Sequence, residues 1–201
     1  MKDVSSAKTS SEQLPDGRMR YGIDHELLRD VTPEMLVWWF RTFPYSKLVW
    51  KEELVSMYRI WHPRDHIRCR VMWRLFDRSA GPGISKGATV LITERLGPKV
   101  TRTRARVAQM DETGLRLVVR RLGMKVGDLQ HTFERTADGT LYRSELVIGS
   151  SVPVVGRLVN ALARRRLFPP EVGEAWLKHN VEEVGNFQFF LPKLYEEAVR
   201  T

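Results

Sequence analysis

Between residues 67 and 148 the chain repeats one pattern: a stretch of alternating or β-branched residues, then a turn signal. The stretches are Ile67 to Phe76, Ala88 to Leu96, Val100 to Met110, Leu115 to Arg121, Leu129 to Arg135 and Thr140 to Ile148. Gly81-Pro82-Gly83, Gly97-Pro98, Asp111 to Gly114, Gly123 and Asp138-Gly139 separate them. Alternation at period two predicts strands with one buried face. The gaps are too short for crossover helices, so neighbouring strands must run antiparallel. After the last strand, Pro169-Pro170 divides two helical segments, Val154 to Leu167 and Glu171 to about Phe190. In the second, Val172, Ala175, Trp176, Val181 and Val184 recur at helical spacing. A sheet followed by a long C-terminal helix is an α+β arrangement.

The N-terminal third is less regular. Thr32-Pro33-Glu34 opens a short helix: threonine caps, proline fits the first turn, and the carboxylate favours the positive helix end. Its apolar MLVWWF run ends before Pro44, and an aromatic run, SMYRIWHPRDH, is broken by Pro63. Residues 1–27, polar and Ser-rich at the start, read as a flexible tail, and 28–201 as a single domain.

Charge and cysteine usage narrow the function classes. The 201 residues carry 33 Lys plus Arg against 24 Asp plus Glu, a formal charge of +9. Arg102, Arg104 and Arg106 fall on one face of a strand, and Arg164, Arg165 and Arg166 close a helix. A solvated face or a phosphate-binding stripe fits the first set, while a helix C-terminus favours cations in the second. No zinc finger, RNP-type motif or Gly-rich phosphate loop accompanies them, so no nucleic acid partner is expected. A single cysteine, Cys69, excludes an internal disulfide and a multi-cysteine zinc cage. No apolar run approaches the roughly 20 residues of a membrane helix, and the N-terminus has no secretory core. A cytoplasmic protein with no membrane partner is the expectation.

Four sets of residues can carry chemistry. His179 and Glu183 lie four apart, one turn on one helix face, where they can share a divalent ion or form a solvated pair. Glu182 is the competing carboxylate. Trp61-His62-Pro63-Arg64-Asp65-His66 places two histidines beside an aspartate, as ligands or as an incidental turn. Glu94 sits inside an apolar strand, either exposed beside Arg95 or turned inward with Ile92, where it needs a partner or a metal. His131 shares a strand face with Leu129 and Phe133, as a core histidine or a proton donor.

Three segments together carry a resemblance. Thr-Pro-Glu-Met-Leu-Val-Trp-Trp-Phe (32 to 40), Trp-His-Pro-Arg-Asp-His (61 to 66) and His-Asn-Val-Glu-Glu-Val-Gly (179 to 185) resemble, in order and separation, the family of 2,4-diacetylphloroglucinol hydrolase and phloretin hydrolase. The similarity runs from about Leu28 to Tyr195. It implies a START-like helix-grip fold, with a curved antiparallel sheet wrapped on the C-terminal helix around an internal cavity. It also implies a zinc ion (Zn2+) held by His66, Glu94, His179 and Glu183, with His62 the rival of His66. Tyr58, His131 and Tyr142 match substrate-contacting positions, and His131 and Glu183 count as catalytic. The family's diacetylphloroglucinol enzyme has a further N-terminal region where only a short tail is expected here; a homodimer is compatible with the resemblance.

The activity so implied is hydrolysis of the bond between an acyl group and a phenolic ring, with an acylated polyphenol as small-molecule partner. A non-catalytic START-like module that binds a hydrophobic polyketide or lipid is the alternative, since fold alone does not fix function.

Overall fold

A computed structural model describes residues 1–72 and 83–200. Among the described residues eleven strands follow in chain order: β1 (Lys8–Gln13), β2 (Met19–Asp24), β3 (Leu28–Arg29), β4 (Lys47–Trp50), β5 (Glu53–Ser56), β6 (His66–Met72), β7 (Thr89–Leu96), β8 (Lys99–Asp111), β9 (Gly114–Arg121), β10 (Met124–Thr136) and β11 (Gly139–Ile148). The helices are α1 (Pro33–Thr42), α2 (Met57–Trp61), α3 (Val155–Leu162) and α4 (Pro170–Val199). The expected strands recur with shifted ends. The Trp73 to Phe76 part of the first one, and the turn residues Gly81 and Pro82, lie outside the described residues.

One antiparallel sheet runs β1-β2-β11-β10-β9-β8-β7-β6, with β3 also on β11, and β4 and β5 form a separate hairpin. Register shifts fall between His66 and Arg68, Val107 and Gln109, and Lys125 and Gly127. Extra residues at such points bend a strand and increase its twist, so the sheet curves. Its concave face and α4 enclose the apolar core, as in the helix-grip arrangement. Trp39 and Phe40 of α1 pack there with Trp61, Phe133, Phe187 and Phe190. Lower down, Tyr21, Leu146, Val172 and Trp176 join the sheet to the start of α4. At that point Gly173 is required, because a Cβ there would sit 2.3 Å from the Tyr21 ring.

Thr32 caps α1 as expected, accepting from the Met35 N–H. Two expectations need correction. The tail assigned to residues 1–27 instead contains β1 and β2, which extend the sheet beyond β11. β1 is exposed throughout, so it lacks the apolar alternation that marks a half-buried strand. α4 continues past Phe190 to Val199, through Pro192. Proline removes one helical hydrogen bond, but burial of Phe190 and Leu191 in the core keeps the chain on its helical path. α3 ends at Leu162, and residues Ala163–Leu167 form a wider π-helical turn holding Arg164, Arg165 and Arg166.

Arg102, Arg104 and Arg106 are exposed while Ala105 and Val107 of the same strand are buried, so the stripe lies on the solvated face. Among the described residues, no helix is long and apolar enough to cross a membrane. Two pockets, of about 500 and 390 Å³, open at the β1–β2–β11 flank. Neither is the cavity between sheet and helix that the resemblance implies.

A buried histidine and carboxylate cluster

Cross-strand pairing makes the first half of the site. His66 opens β6 directly opposite Glu94 of β7, and residues so paired point side chains to the same face. The second half comes from α4, where His179 and Glu183 sit one turn apart. α2 is tied to that helix: Trp61 Nε1 donates to the Glu183 carbonyl at 2.9 Å, and Asn186 Nδ2 donates to the Trp61 carbonyl at 2.9 Å.

These four side chains converge. His66 Nε2 lies 3.1 Å from Glu183 Oε2; His179 Nε2 lies 3.6 Å from the same oxygen and 3.7 Å from Glu94 Oε2. His66, His179 and Glu183 have ligand atoms close enough to hold one ion, and all three are buried. A second such group, His62, Asp65 and His179, adjoins it.

Hydrogen bonds on the far side of each ring fix its tautomer. His66 Nδ1 is 2.8 Å from the Tyr58 carbonyl, which can only accept, so Nδ1 carries the hydrogen. His179 Nδ1 is likewise 3.2 Å from Asp65 Oδ2. With both rings neutral, the two Nε2 atoms are then lone-pair acceptors aimed at carboxylate oxygens. Acceptor faces acceptor unless a proton or metal ion lies between them. His179 Nε2 is buried and has no hydrogen-bond partner among the described residues. Two imidazoles, two carboxylates and this orphaned nitrogen fit a divalent ion.

The electrostatics agree. Burial pushes Glu94 up, against the pull of His179 and His66. Burial pushes His66 down to about 3, helped by the positive charge of His179. For His179 burial also acts downward, but Glu183, Asp65 and Glu94 outweigh it and raise the ring to about 9. The carboxylates around His179 favour positive charge at that ring.

His62 points elsewhere. Its Nε2 is 3.1 Å from Glu182 Oε2 and 3.5 Å from Asp65 Oδ2, and Arg64 also donates to Glu182. The competing carboxylate Glu182 is thereby held in this outer group rather than in the central one. Sequence reasoning missed Asp65 as the partner of His179; its place between two histidines was the available signal.

The aromatic candidates surround the cluster. Tyr58 stacks on His66 with ring centroids 3.8 Å apart and donates to Glu94 Oε2 at 3.4 Å. Burial, with Glu94 next, raises its phenol well above the ordinary range. Tyr142 lies against His131, centroids 5.3 Å apart, and its buried hydroxyl has no partner among the described residues. Burial holds His131 down at about 4, with Glu183 pulling the other way.

A long helix gripped by a curved antiparallel sheet, with a buried cluster of metal-ligating side-chain types at their junction, defines a helix-grip domain with a candidate metal centre. The chain belongs to the DAPG hydrolase PhiG domain family, whose model matches residues 5–196. It is 28% identical over 186 residues to the phloretin hydrolase of Eubacterium ramulus, covering 85% of this chain and 65% of that relative's length. Among solved structures, the KanY protein aligns with a TM-score of 0.50 at 9% identity, covering 95% of this chain and 99% of that one. A START superfamily protein from Mycobacterium smegmatis aligns at TM-score 0.43 and 16% identity, covering 83% and 98%.

Proposed function

We propose that the chain is a zinc-dependent hydrolase that cleaves the carbon–carbon bond between an acyl group and a phenolic, phloroglucinol-type ring. The observation that carries this reading is the convergence of His66 Nε2 and His179 Nε2 on Glu94 and Glu183, each ring held from behind through its Nδ1. Two nitrogens and two carboxylates suit zinc better than magnesium or calcium, which prefer oxygen throughout. The family and the phloretin hydrolase relative support the substrate class.

The bond is difficult to break because an aryl carbanion is a poor leaving group. Protonating the ring carbon through a keto tautomer converts it to an enol-type leaving group. In this reading His131 holds that proton on Nε2 and delivers it to the ring. Tyr142, with its unsatisfied hydroxyl, and Tyr58, beside Glu94, orient the phenolic oxygens. Asn180 Nδ2 donates to Glu183 Oε1 at 2.5 Å, steadying that carboxylate while its other oxygen faces the histidines. Zinc, when bound, supplies Lewis-acid polarisation at neutral pH. One water is consumed: its oxygen ends in the carboxylic acid, and a proton ends on the ring carbon.

The test is incubation of the zinc-loaded protein with an acylated phloroglucinol. Equal amounts of carboxylic acid and deacylated phenol are expected. Recovery of the substrate bound but unchanged would instead establish a binding module.

A further inference from the structure

Behind His131 lies a second polar chain, joined to the metal cluster through Asn180, which faces His25 and donates to Glu183. His131 of β10 and Ser144 of β11 are directly paired, and Ser144 is paired in turn with Ile23 of β2. His25 follows β2 by one residue and bonds its backbone N–H to the Tyr142 carbonyl at 3.1 Å. Three neighbouring strands therefore bring the three side chains together. Ser144 Oγ is 2.9 Å from His131 Nδ1 and 2.9 Å from His25 Nε2. The Tyr142 ring lies against both imidazoles, with centroid distances of 5.3 Å to each.

A hydroxyl has one hydrogen to donate, so it cannot donate to both rings. If Ser144 donates to His131 Nδ1, it must accept from His25 Nε2–H. That arrangement puts the remaining hydrogen of His131 on Nε2, the atom free of Ser144. Burial holds both rings neutral at pH 7, pushing His25 to about 3 and His131 to about 4. His25 also lines the pocket of about 500 Å³ at the sheet flank, together with Ser5, Glu26 and Tyr142. The outer end of the chain thus adjoins solvent.

We propose that His25 and Ser144 form a proton relay that fixes His131 as an Nε2–H donor and lets protons shift along the chain as that hydrogen leaves. The proposal rests on His131 acting as the ring-proton donor. As the ring carbon takes the Nε2 hydrogen, His131 Nδ1 takes the Ser144 hydrogen. Ser144 Oγ takes the hydrogen of His25 Nε2, and the other nitrogen of His25, beside Asn180, gains a proton from solvent. One proton enters and one leaves; when the attacking water gives its proton to His131 Nε2, the three shifts reverse and the starting tautomers return. Both rings change tautomer, and the charge of the trio is unchanged. Ser144 and His25 are positioning residues, since neither touches substrate.

Two measurements test the relay. The first is 15N NMR of the histidine-labelled, zinc-loaded protein, which reads tautomers without any substrate. His131 and His25 are expected as Nε2–H tautomers, and Ser144→Ala should mix the His131 tautomers. His131 found as the Nδ1–H tautomer overturns the proposal. The second is turnover of an acylated phloroglucinol by Ser144→Ala, His25→Gln and Ser144→Thr, with His131→Ala as reference. Ser144→Ala and His25→Gln should lose about tenfold or more in kcat at unchanged zinc content, within the range of general acid effects; Ser144→Thr, which keeps a hydroxyl, should recover most of the loss. Full activity in Ser144→Ala beside an inactive His131→Ala overturns the relay alone. Full activity in His131→Ala overturns the donor role itself and the proton shifts with it, leaving the NMR result to decide the tautomer lock.

Discussion

His179 Nδ1 and Asp65 Oδ2 lie 3.2 Å apart, and this contact sets the direction of the neighbouring nitrogen. The hydrogen bond to His179 is also the main reason the Asp65 carboxyl sits below its usual range. An aspartate behind a ligating imidazole orients the ring and raises its basicity. Asp65→Ala is expected to weaken zinc binding by about 10- to 100-fold, read by chelator competition. Asp65→Asn, which still accepts from Nδ1–H, should lose less. Unchanged affinity in Asp65→Ala would show that His179 is held by other contacts.

His62 and His66 belong to different groups of possible ligands, which share His179. His66 Nε2 faces Glu183, while His62 Nε2 faces Glu182. His66→Ala should lose its zinc, and His62→Ala should retain most of it. Metal analysis of the two purified variants decides the matter; the opposite pattern would move the early ligand to His62.

His131→Ala tests the chemistry apart from the metal. It should fold, keep zinc and lose roughly a hundredfold or more in kcat, the scale of a missing general acid. Tyr58→Phe should be milder. A histidine with only a packing role predicts a lowered melting temperature and near-normal single-turnover rate in the folded variant.

How much of this was legible in the sequence depends on which physical signal each element left. The strands from β7 to β11 announced themselves by period-two burial and by turns such as Asp138-Gly139, because one face of each meets the core. β1 left no such trace, since both its faces are exposed. The continuation of α4 through Pro192 was hidden for another reason: tertiary packing of Phe190 and Leu191 overrides a local breaker. Of the site, His179 and Glu183 were visible as a one-turn pair. The bringing together of His66 with Glu94, or of His131 with Ser144, depends on strand register, which no local pattern states. His25 was least visible of all, lying within the segment read as a tail.

The buried neutral histidines set a pH dependence of stability. His25 titrates at about 3 and His131 at about 4 in the folded chain, against about 6.5 when unfolded. Between those values the unfolded chain binds protons that the folded one refuses. Stability is therefore full above pH 6.5 and declines as pH falls toward 4, by about 1.4 kcal/mol per pH unit for each fully titrating group. His25→Gln should flatten the decline measured by denaturant unfolding between pH 6.5 and 4. An identical slope in that variant would show that His25 does not stay neutral on folding.

We propose that His66, Glu94, His179 and Glu183 hold one catalytic zinc ion. Elemental analysis of the purified protein, paired with acid release from an acylated phloroglucinol before and after chelation, tests it most directly. The expected result is about one zinc per chain, loss of activity with the metal, and recovery on adding zinc back. Full zinc occupancy in His179→Ala, or undiminished acid release from metal-stripped protein, would contradict it.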